Sequence, residues 1–295
     1  MRIIVSICLL FNFFCSYVEK KYDAPSTPIK IKGSRTIVFV HGMYMTPKSW
    51  GNWEKYFKEK GFKVYAPAYP LHDLEAEILR NKYPDAELAK LTFAKVKEHY
   101  KKFILSLDEK PILIGHSMGG LVVQSLLNDE LGTAAIALSS APPKGVVSKA
   151  TAIKHGITFV TSSWPVINPF ASDDSPIFLD EEHFIKKFGN RMSEKEAHEF
   201  YKEFIVPESR RLPRSILTDE GKLDFAKPRG PLLLIAADED RIIPNSLVRD
   251  IQSAYSKSSG ITNFVEYKGR GHLLHKQAGW EEIAYDCWEW IEKNR

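Results

Sequence analysis

The chain has 295 residues, of which 44% are hydrophobic, and 41 Lys and Arg stand against 37 Asp and Glu for a formal net charge of +4. This composition is typical of a globular protein, and it excludes collagenous, low-complexity and repeat architectures. So small a positive surplus gives no reason to expect a nucleic-acid partner. Only 3 cysteines occur, so we expect packing, not disulfides, to hold the fold.

The N-terminal segment, residues 3–14, is apolar at all but two positions and follows Arg2. It is shorter than the about 20 residues that a membrane-spanning helix needs, but it has the length of a signal-peptide hydrophobic region. We therefore expect residues 1–22 to be a signal or N-terminal hydrophobic segment. The protein would then be secreted, periplasmic or membrane-tethered, with any membrane contact made only through this segment. A cytoplasmic location is the alternative, because no small-x-small cleavage pattern follows the apolar run.

After a linker at residues 23–34, short apolar runs alternate with segments of helical periodicity. Such runs are typical of buried parallel strands. The predicted strands are residues 36–40, 63–66, 111–114, 133–138, 231–237 and 263–267. The predicted helices are residues 47–60, 86–107, 118–131, 246–256 and 280–293. This alternation predicts an α/β fold with a mostly parallel, doubly wound sheet, whose ligands lie at the carboxyl ends of the strands.

One interval is too long for a single crossover, because about 90 residues separate the fourth predicted strand from the fifth. We therefore predict a cap inserted at residues 142–228, with the core formed by residues 35–141 and 229–295. Ser193 and Glu196 have the spacing of a helix capping box, and apolar residues follow them at helical intervals. The cap is thus expected to be mostly helical.

The predicted cap also carries several aromatic side chains. We expect them to line the substrate pocket, and packing of the cap onto the core is the alternative for each of them. The candidates are Phe159, Trp164, Phe170 and Phe178.

Residues 111–123 combine a predicted strand, the pattern G-x-S-x-G and the start of a predicted helix. A serine on the sharp turn between strand and helix stands clear of the sheet, and Gly115 and Gly119 remove side chains that would collide with that turn. Ser117 is therefore the candidate nucleophile. The helix that starts at Met118 would place a backbone N–H and a positive dipole end beside a developing oxyanion.

His41, Gly42 and Met43 directly follow the first predicted strand, where a second oxyanion donor is expected. With this loop and the serine turn, the sequence resembles the α/β-hydrolase family from about Arg35 to the C-terminus. The resemblance implies that Met43 donates its backbone N–H, and that nucleophile, acid and base follow in this order along the chain. We interpret His41 as a structural histidine that bonds the loop backbone.

The resemblance places the acid and the base after the last two strands. It selects Asp240, which stands four residues before Pro244, and leaves Asp238 as the alternative. The base is His272, in the Gly-His pair that follows the final strand. His275 forms a His-x-x-His pair with His272, but no third ligand accompanies them, so we expect neither a metal nor another cofactor.

These residues predict a serine hydrolase that cleaves carboxylic esters with small or medium apolar acyl groups through a covalent acyl-enzyme. Its partner would be a small-molecule ester. A perhydrolase or acyltransferase would use the same triad, because only the acceptor of the acyl group differs. A non-catalytic, hydrolase-like binding protein is the alternative from another functional class.

Overall fold

The computed structural model describes residues 31, 33–154, 168 and 170–295. Within them a 6-stranded sheet has the order β2-β1-β3-β4-β5-β6, and every neighbouring pair is parallel. The strands are β1 (Thr36–Val40), β2 (Lys63–Tyr65), β3 (Ile112–His116), β4 (Ala134–Leu138), β5 (Leu232–Ala237) and β6 (Thr262–Tyr267). The predicted α/β fold class is confirmed.

The central strands are buried on both faces, which explains why they are continuously apolar in sequence. Every residue of β1, β3, β4 and β5 is buried, whereas buried and half-buried residues alternate along the edge strand β6. In the sheet register Gly115 pairs with both Val40 and Ala137. The carboxyl ends of β1, β3 and β4 therefore lie side by side, and the loops that follow them meet at one edge.

Helices cover both faces of the sheet. They are α1 (Gly51–Glu59), α2 (Ala76–Asn81), α3 (Phe93–Leu105), α4 (Met118–Asn128), α5 (Glu181–Lys187), α6 (Glu194–Phe204), α7 (Arg211–Ser215), α8 (Asn245–Ala254) and α9 (Trp280–Lys293). Helices α3, α4 and α8 pack on one face, while α1 and α9 pack on the other. Cys287 of α9 is fully buried in the layer formed by α1 and α9.

Two predicted helices begin differently in the structure. The helix expected at residues 86–107 begins only at Phe93, because the Thr92 side chain caps α3 by accepting the N–H of Lys95 at 3.5 Å. A separate 3₁₀ turn precedes it at Leu88–Lys90. The helix expected at residues 47–60 starts as a 3₁₀ turn, Pro47–Trp50, before it continues as α1.

The segment between β4 and β5, here called the insertion, carries α5, α6 and α7. Both hydrogen bonds of the predicted capping box are present at the start of α6, between Ser193 and Glu196. A separate apolar cluster packs α5 and α6 onto core residues from the loops after β1 and β6. Its buried members are Tyr44, Met45, Ile177, Leu179, Phe184, Phe188, Phe200, Phe204, Ile205 and Leu273.

The predicted N-terminal segment, residues 1–22, and almost all of the linker lie outside the described residues. In the part of the chain that the structure describes, no helix combines the length and the apolar character needed to cross a membrane.

Candidate active site

Ser117 occupies a strained turn between β3 and α4, with φ 55° and ψ −118°. A Cβ atom on Gly115 would lie 2.2 Å from the Gly119 carbonyl oxygen, and one on Gly119 would lie 2.2 Å from the Val40 carbonyl oxygen. Neither position therefore tolerates a side chain without a shift of the backbone. The Ser117 N–H donates to the Leu138 carbonyl at 2.9 Å, which ties the turn to the end of β4.

Three side chains from separate loops form one hydrogen-bonded chain at this turn. His272 Nε2 lies 3.0 Å from Ser117 Oγ, and His272 Nδ1 lies 2.8 Å from Asp240 Oδ2. The other carboxylate oxygen of Asp240 accepts the N–H groups of Ile242 and Ile243, both at 2.8 Å. Because both oxygens of Asp240 are occupied, its carboxylate is held in a single orientation toward the imidazole.

The alternative acid, Asp238, lies elsewhere. Its Oδ2 is 3.9 Å from Lys268 Nζ, and its Oδ1 is buried without a hydrogen-bond partner in the described residues. The structure thus places Asp240, and not Asp238, against His272.

The loop after β1 crosses directly over the serine. A Cβ atom on Gly42 would lie 3.2 Å from Ser117 Cβ, so only glycine allows this approach without displacing a neighbour. Within the described residues, neither the N–H of Met43 nor that of Met118 has an acceptor. Met118 directly follows Ser117 as the first residue of α4, and Met43 directly follows Gly42, which approaches Ser117.

His41 holds this loop in place through both ring nitrogens. Its Nε2 accepts the N–H of Tyr69 at 3.0 Å, which leaves the proton on Nδ1 to donate to the Gly42 carbonyl at 2.8 Å. The Tyr69 hydroxyl in turn donates to the His41 carbonyl at 2.7 Å. Burial, with a smaller effect of His72, lowers the pKa of His41 to about 3, so the ring stays neutral. These bonds agree with our interpretation of His41 as a structural residue.

The insertion binds the far side of the same loop. The Val206 N–H donates to the Tyr44 carbonyl at 2.8 Å, and the Tyr44 N–H donates to a carboxylate oxygen of Glu208 at 3.4 Å. Glu208 is fully buried and lies 3.4 Å from His72. Burial acts to lower the pKa of His72, but the charge and hydrogen bonding of Glu208 and the bond to the Pro70 carbonyl together outweigh it, so the pKa is raised. Sequence reasoning missed Glu208, because no motif marks this carboxylate.

Two further histidines lie behind His272. The His116 Nε2–H donates to the His272 carbonyl at 2.8 Å, and the His116 and His275 ring centroids are 4.2 Å apart. Burial lowers the pKa of both rings well below the usual value, so both are neutral. Among the described residues no group of three or more His, Cys, Asp or Glu is arranged to hold a metal ion.

A family model for the alpha/beta hydrolase family matches residues 37–284. The chain belongs to the alpha/beta hydrolase family. The match extends from β1 into α9 and includes Ser117, Asp240 and His272. The comparison with curated protein sequences gives no match.

Esterases and lipases are among the solved structures that resemble this hydrolase. A pyrethroid hydrolase from Sphingobium faniae JZ-2 has 17% identity and a TM-score of 0.62, with 88% of this chain and 98% of that chain covered. A monoacylglycerol lipase from Paleococcus ferrophilus has 20% identity, a TM-score of 0.62 and coverage of 88% and 95%. A polyneuridine aldehyde esterase has 17% identity, a TM-score of 0.62 and coverage of 86% and 99%. At these identities the likeness establishes a shared fold.

Within the described part of the hydrolase's insertion, Phe188 is an aromatic residue that contacts the site. Its ring meets His272 edge-on, with 5.5 Å between centroids, and Tyr44 in the same way at 6.2 Å. Sequence reasoning missed Phe188, because the spacing of apolar residues does not distinguish it from Phe184, which packs inside the insertion.

The predicted pocket aromatics are placed differently. Phe178 stacks on Tyr201 with centroids 6.1 Å apart and also contacts Tyr83, so its ring contacts are packing contacts. The Phe170 side chain is 92% exposed. Phe159 and Trp164 lie outside the described residues.

Proposed function

We propose that this hydrolase cleaves carboxylic esters with small or medium apolar acyl groups, through a covalent acyl-enzyme on Ser117. The observation that carries the proposal is the continuous hydrogen-bonded chain from Ser117 Oγ through His272 to Asp240. A serine hydroxyl is a weak nucleophile until a neighbouring base accepts its proton. His272 is that base, and Asp240 keeps the imidazole proton on Nδ1 so that Nε2 faces the serine.

In the first half-reaction, Ser117 Oγ attacks the ester carbonyl carbon while its proton passes to His272 Nε2. The carbonyl oxygen becomes negative and accepts hydrogen bonds from the N–H groups of Met43 and Met118. When the tetrahedral intermediate collapses, the bond to the leaving alcohol breaks and His272 returns the proton to the alcohol oxygen. The acyl group remains on Ser117.

In the second half-reaction, water attacks the acyl carbon while His272 accepts one of its protons. The bond to Ser117 Oγ then breaks, the acid leaves and the proton returns to the serine. A perhydrolase or an acyltransferase would differ only in replacing this water by peroxide or an alcohol. Product analysis with methanol competing against water distinguishes these acceptors.

The side chains around His272 are largely apolar, and this supports the proposal that the acyl group is apolar. Phe188 and Tyr44 contact each other beside the imidazole, and Leu273, Met43 and Ile242 belong to the same cluster. Each methylene that a substrate buries among such side chains contributes about 0.8 kcal/mol.

We also propose that the insertion selects the acyl group. Phe188 already contacts the catalytic histidine from this segment. Of the predicted aromatic residues, Phe159 and Trp164 stay proposed lining residues, whereas Phe178 makes packing contacts and Phe170 is exposed. Esterase activity on p-nitrophenyl esters of increasing acyl length tests this role. Replacing a lining residue by one with a smaller side chain should shift the preferred acyl chain length. An unchanged length profile across the set would show that the insertion does not select the substrate.

Substitution of the two reacting side chains tests the proposed chemistry. Ser117→Ala and His272→Ala should each reduce kcat on p-nitrophenyl butyrate by about a million-fold, because triad members act as a unit. Circular dichroism and thermal unfolding of each variant serve as the folding control. A folded variant with activity within about tenfold of the parent would refute the assignment.

The apolar N-terminal run supports a further proposal, that the protein is exported or membrane-tethered. Cell fractionation with N-terminal sequencing tests it. Recovery in a membrane or extracytoplasmic fraction is expected, and an unprocessed chain found only in the cytosol would contradict it.

A further inference from the structure

We propose that the turn between α5 and α6, residues 188–192, is a brace that aligns the acid and the base of the site. Its positioning residues are Asn190 and Arg191. The two loops that it joins are the acid loop, residues 238–243, and the histidine loop, residues 268–275. The inference rests on the proposed function, because it concerns how Asp240 and His272 are held.

The insertion binds the acid loop on both sides of Asp240, through the brace on one side and through α5 on the other. Asn190 Nδ2 donates to the Glu239 carbonyl at 3.0 Å, and an Arg191 guanidinium nitrogen lies 3.4 Å from the Glu239 carboxylate. In return, Arg241 donates to the carbonyl of Lys186, in the last turn of α5, at 3.1 Å. The residue before Asp240 and the residue after it are thus both bonded to the insertion.

The same turn binds the histidine loop. Arg191 Nε donates to the Gly269 carbonyl at 3.2 Å, so one guanidinium contacts both loops. Asn190 also packs against the backbone just before His272, because a Cβ atom on Gly271 would lie 2.9 Å from Asn190 Oδ1. The loops share one direct backbone hydrogen bond, from the Glu239 N–H to the Arg270 carbonyl at 2.9 Å.

The brace also connects the pocket to the triad. Phe188, the first residue of the turn, contacts the His272 ring, and Asn190 and Arg191 follow within one turn of chain. An acyl group that packs against Phe188 would therefore press on the segment that holds the acid and base loops together. This arrangement gives the insertion a role in alignment in addition to substrate selection.

The test separates alignment from stability. Arg191 is exposed, and exposed polar contacts add little to stability, whereas a displacement of a reacting group by a fraction of an ångström slows the reaction strongly. Arg191→Met keeps the stem and removes the guanidinium, and Asn190→Ala removes the amide. Arg211→Met is the matched control, because Arg211 pairs with Asp174 inside the insertion and not with either loop.

We expect Arg191→Met and Asn190→Ala each to lower kcat on p-nitrophenyl butyrate by about tenfold, with a smaller change in KM. Labelling of Ser117 by a fluorophosphonate should slow in parallel. The downfield proton resonance of the His272 Nδ1–H should broaden or shift. Arg211→Met should leave kcat, the labelling rate and this resonance at the parent's values.

If both variants are labelled at the parent's rate and show an unshifted downfield resonance, the proposal that the brace aligns the acid and the base is wrong. Should Arg191→Met fail to fold, Asn190→Ala decides the question alone by the same readouts. The resonance needs no substrate, so it tests the brace even where the proposed function fails. That failure is recognised separately, since the parent enzyme would then not react with the fluorophosphonate.

Discussion

Asp238 and Asp240 show how two residues of one type, two positions apart, acquire different roles. On the sharp turn after β5, the Asp240 carboxylate accepts hydrogen bonds from two backbone N–H groups and from the imidazole of His272. The Asp238 carboxylate instead lies near Lys268. The sequence proposes both residues, and the resemblance favours Asp240 through its spacing to Pro244. Only the folded turn decides, because side-chain direction on an irregular turn has no simple period in sequence.

Asp240→Asn should lower kcat by about ten-thousand-fold with the fold intact, because the amide would favour the wrong imidazole tautomer. Asp238→Asn is the matched control and should remain within about tenfold of the parent. Steady-state kinetics of the two variants on one ester make the comparison. If Asp238→Asn lowers kcat strongly while Asp240→Asn leaves it nearly unchanged, Asp238 is the acid and our assignment is wrong.

Other residues of the site differ in how clearly the sequence identifies them. Ser117 and His272 belong to motifs with glycine neighbours, and the turn at Ser117 requires Gly115 and Gly119. Phe188, Asn190 and Glu208 belong to no motif. Their roles come from contacts between the insertion and the core, and such contacts between distant parts of the chain leave no local pattern.

Among the elements, the turn between β3 and α4 leaves no room for a side chain at Gly115 or Gly119. Gly119→Ala should lower the free energy of unfolding by about 3 kcal/mol, because its Cβ would lie 2.2 Å from the Val40 carbonyl oxygen. Gly51→Ala is the matched control. It adds a Cβ to open space at helical dihedrals and should stabilise by up to about 1 kcal/mol. Urea unfolding measures both, and equal changes in the two variants would contradict this steric account of the turn.

The core elements were predictable because their burial follows simple periods. The strands appear as continuous apolar runs, and α9 has the predicted bounds, Trp280–Lys293. The short helices α2, α5 and α7 were not predicted individually. Helices of this length gain most of their stability from tertiary packing and not from local propensity. In α5, for example, the Phe184 side chain is fully buried.

At the scale of the whole molecule, buried histidines connect stability to pH. Burial lowers the pKa of His41, His116 and His275, while the unfolded chain titrates near 6.5. Below pH 6.5 the unfolded state therefore binds more protons, and the free energy of unfolding falls. His72 acts in the opposite sense. Its raised pKa gives a stabilisation that is complete below pH 6.5 and is lost as the pH rises through the folded value.

We therefore expect the free energy of unfolding to fall by about 3 to 4 kcal/mol between pH 7.5 and 5.5, with about 1.4 kcal/mol from each neutral histidine. Urea titrations at the two pH values measure this fall. In His275→Gln the fall should be smaller by about 1.4 kcal/mol. Stability that is flat over this range would show that these rings titrate alike in the folded and unfolded states.

The central claim is that the fold assembles an activated serine at residue 117, and its most direct test is covalent labelling. We predict that a fluorophosphonate adds one phosphonyl group per chain to the full-length protein, on the peptide that contains Ser117. Ser117→Ala should not be labelled, and His272→Ala should be labelled far more slowly. A folded parent that fails to react, or a mass increase that persists in Ser117→Ala, would contradict the account.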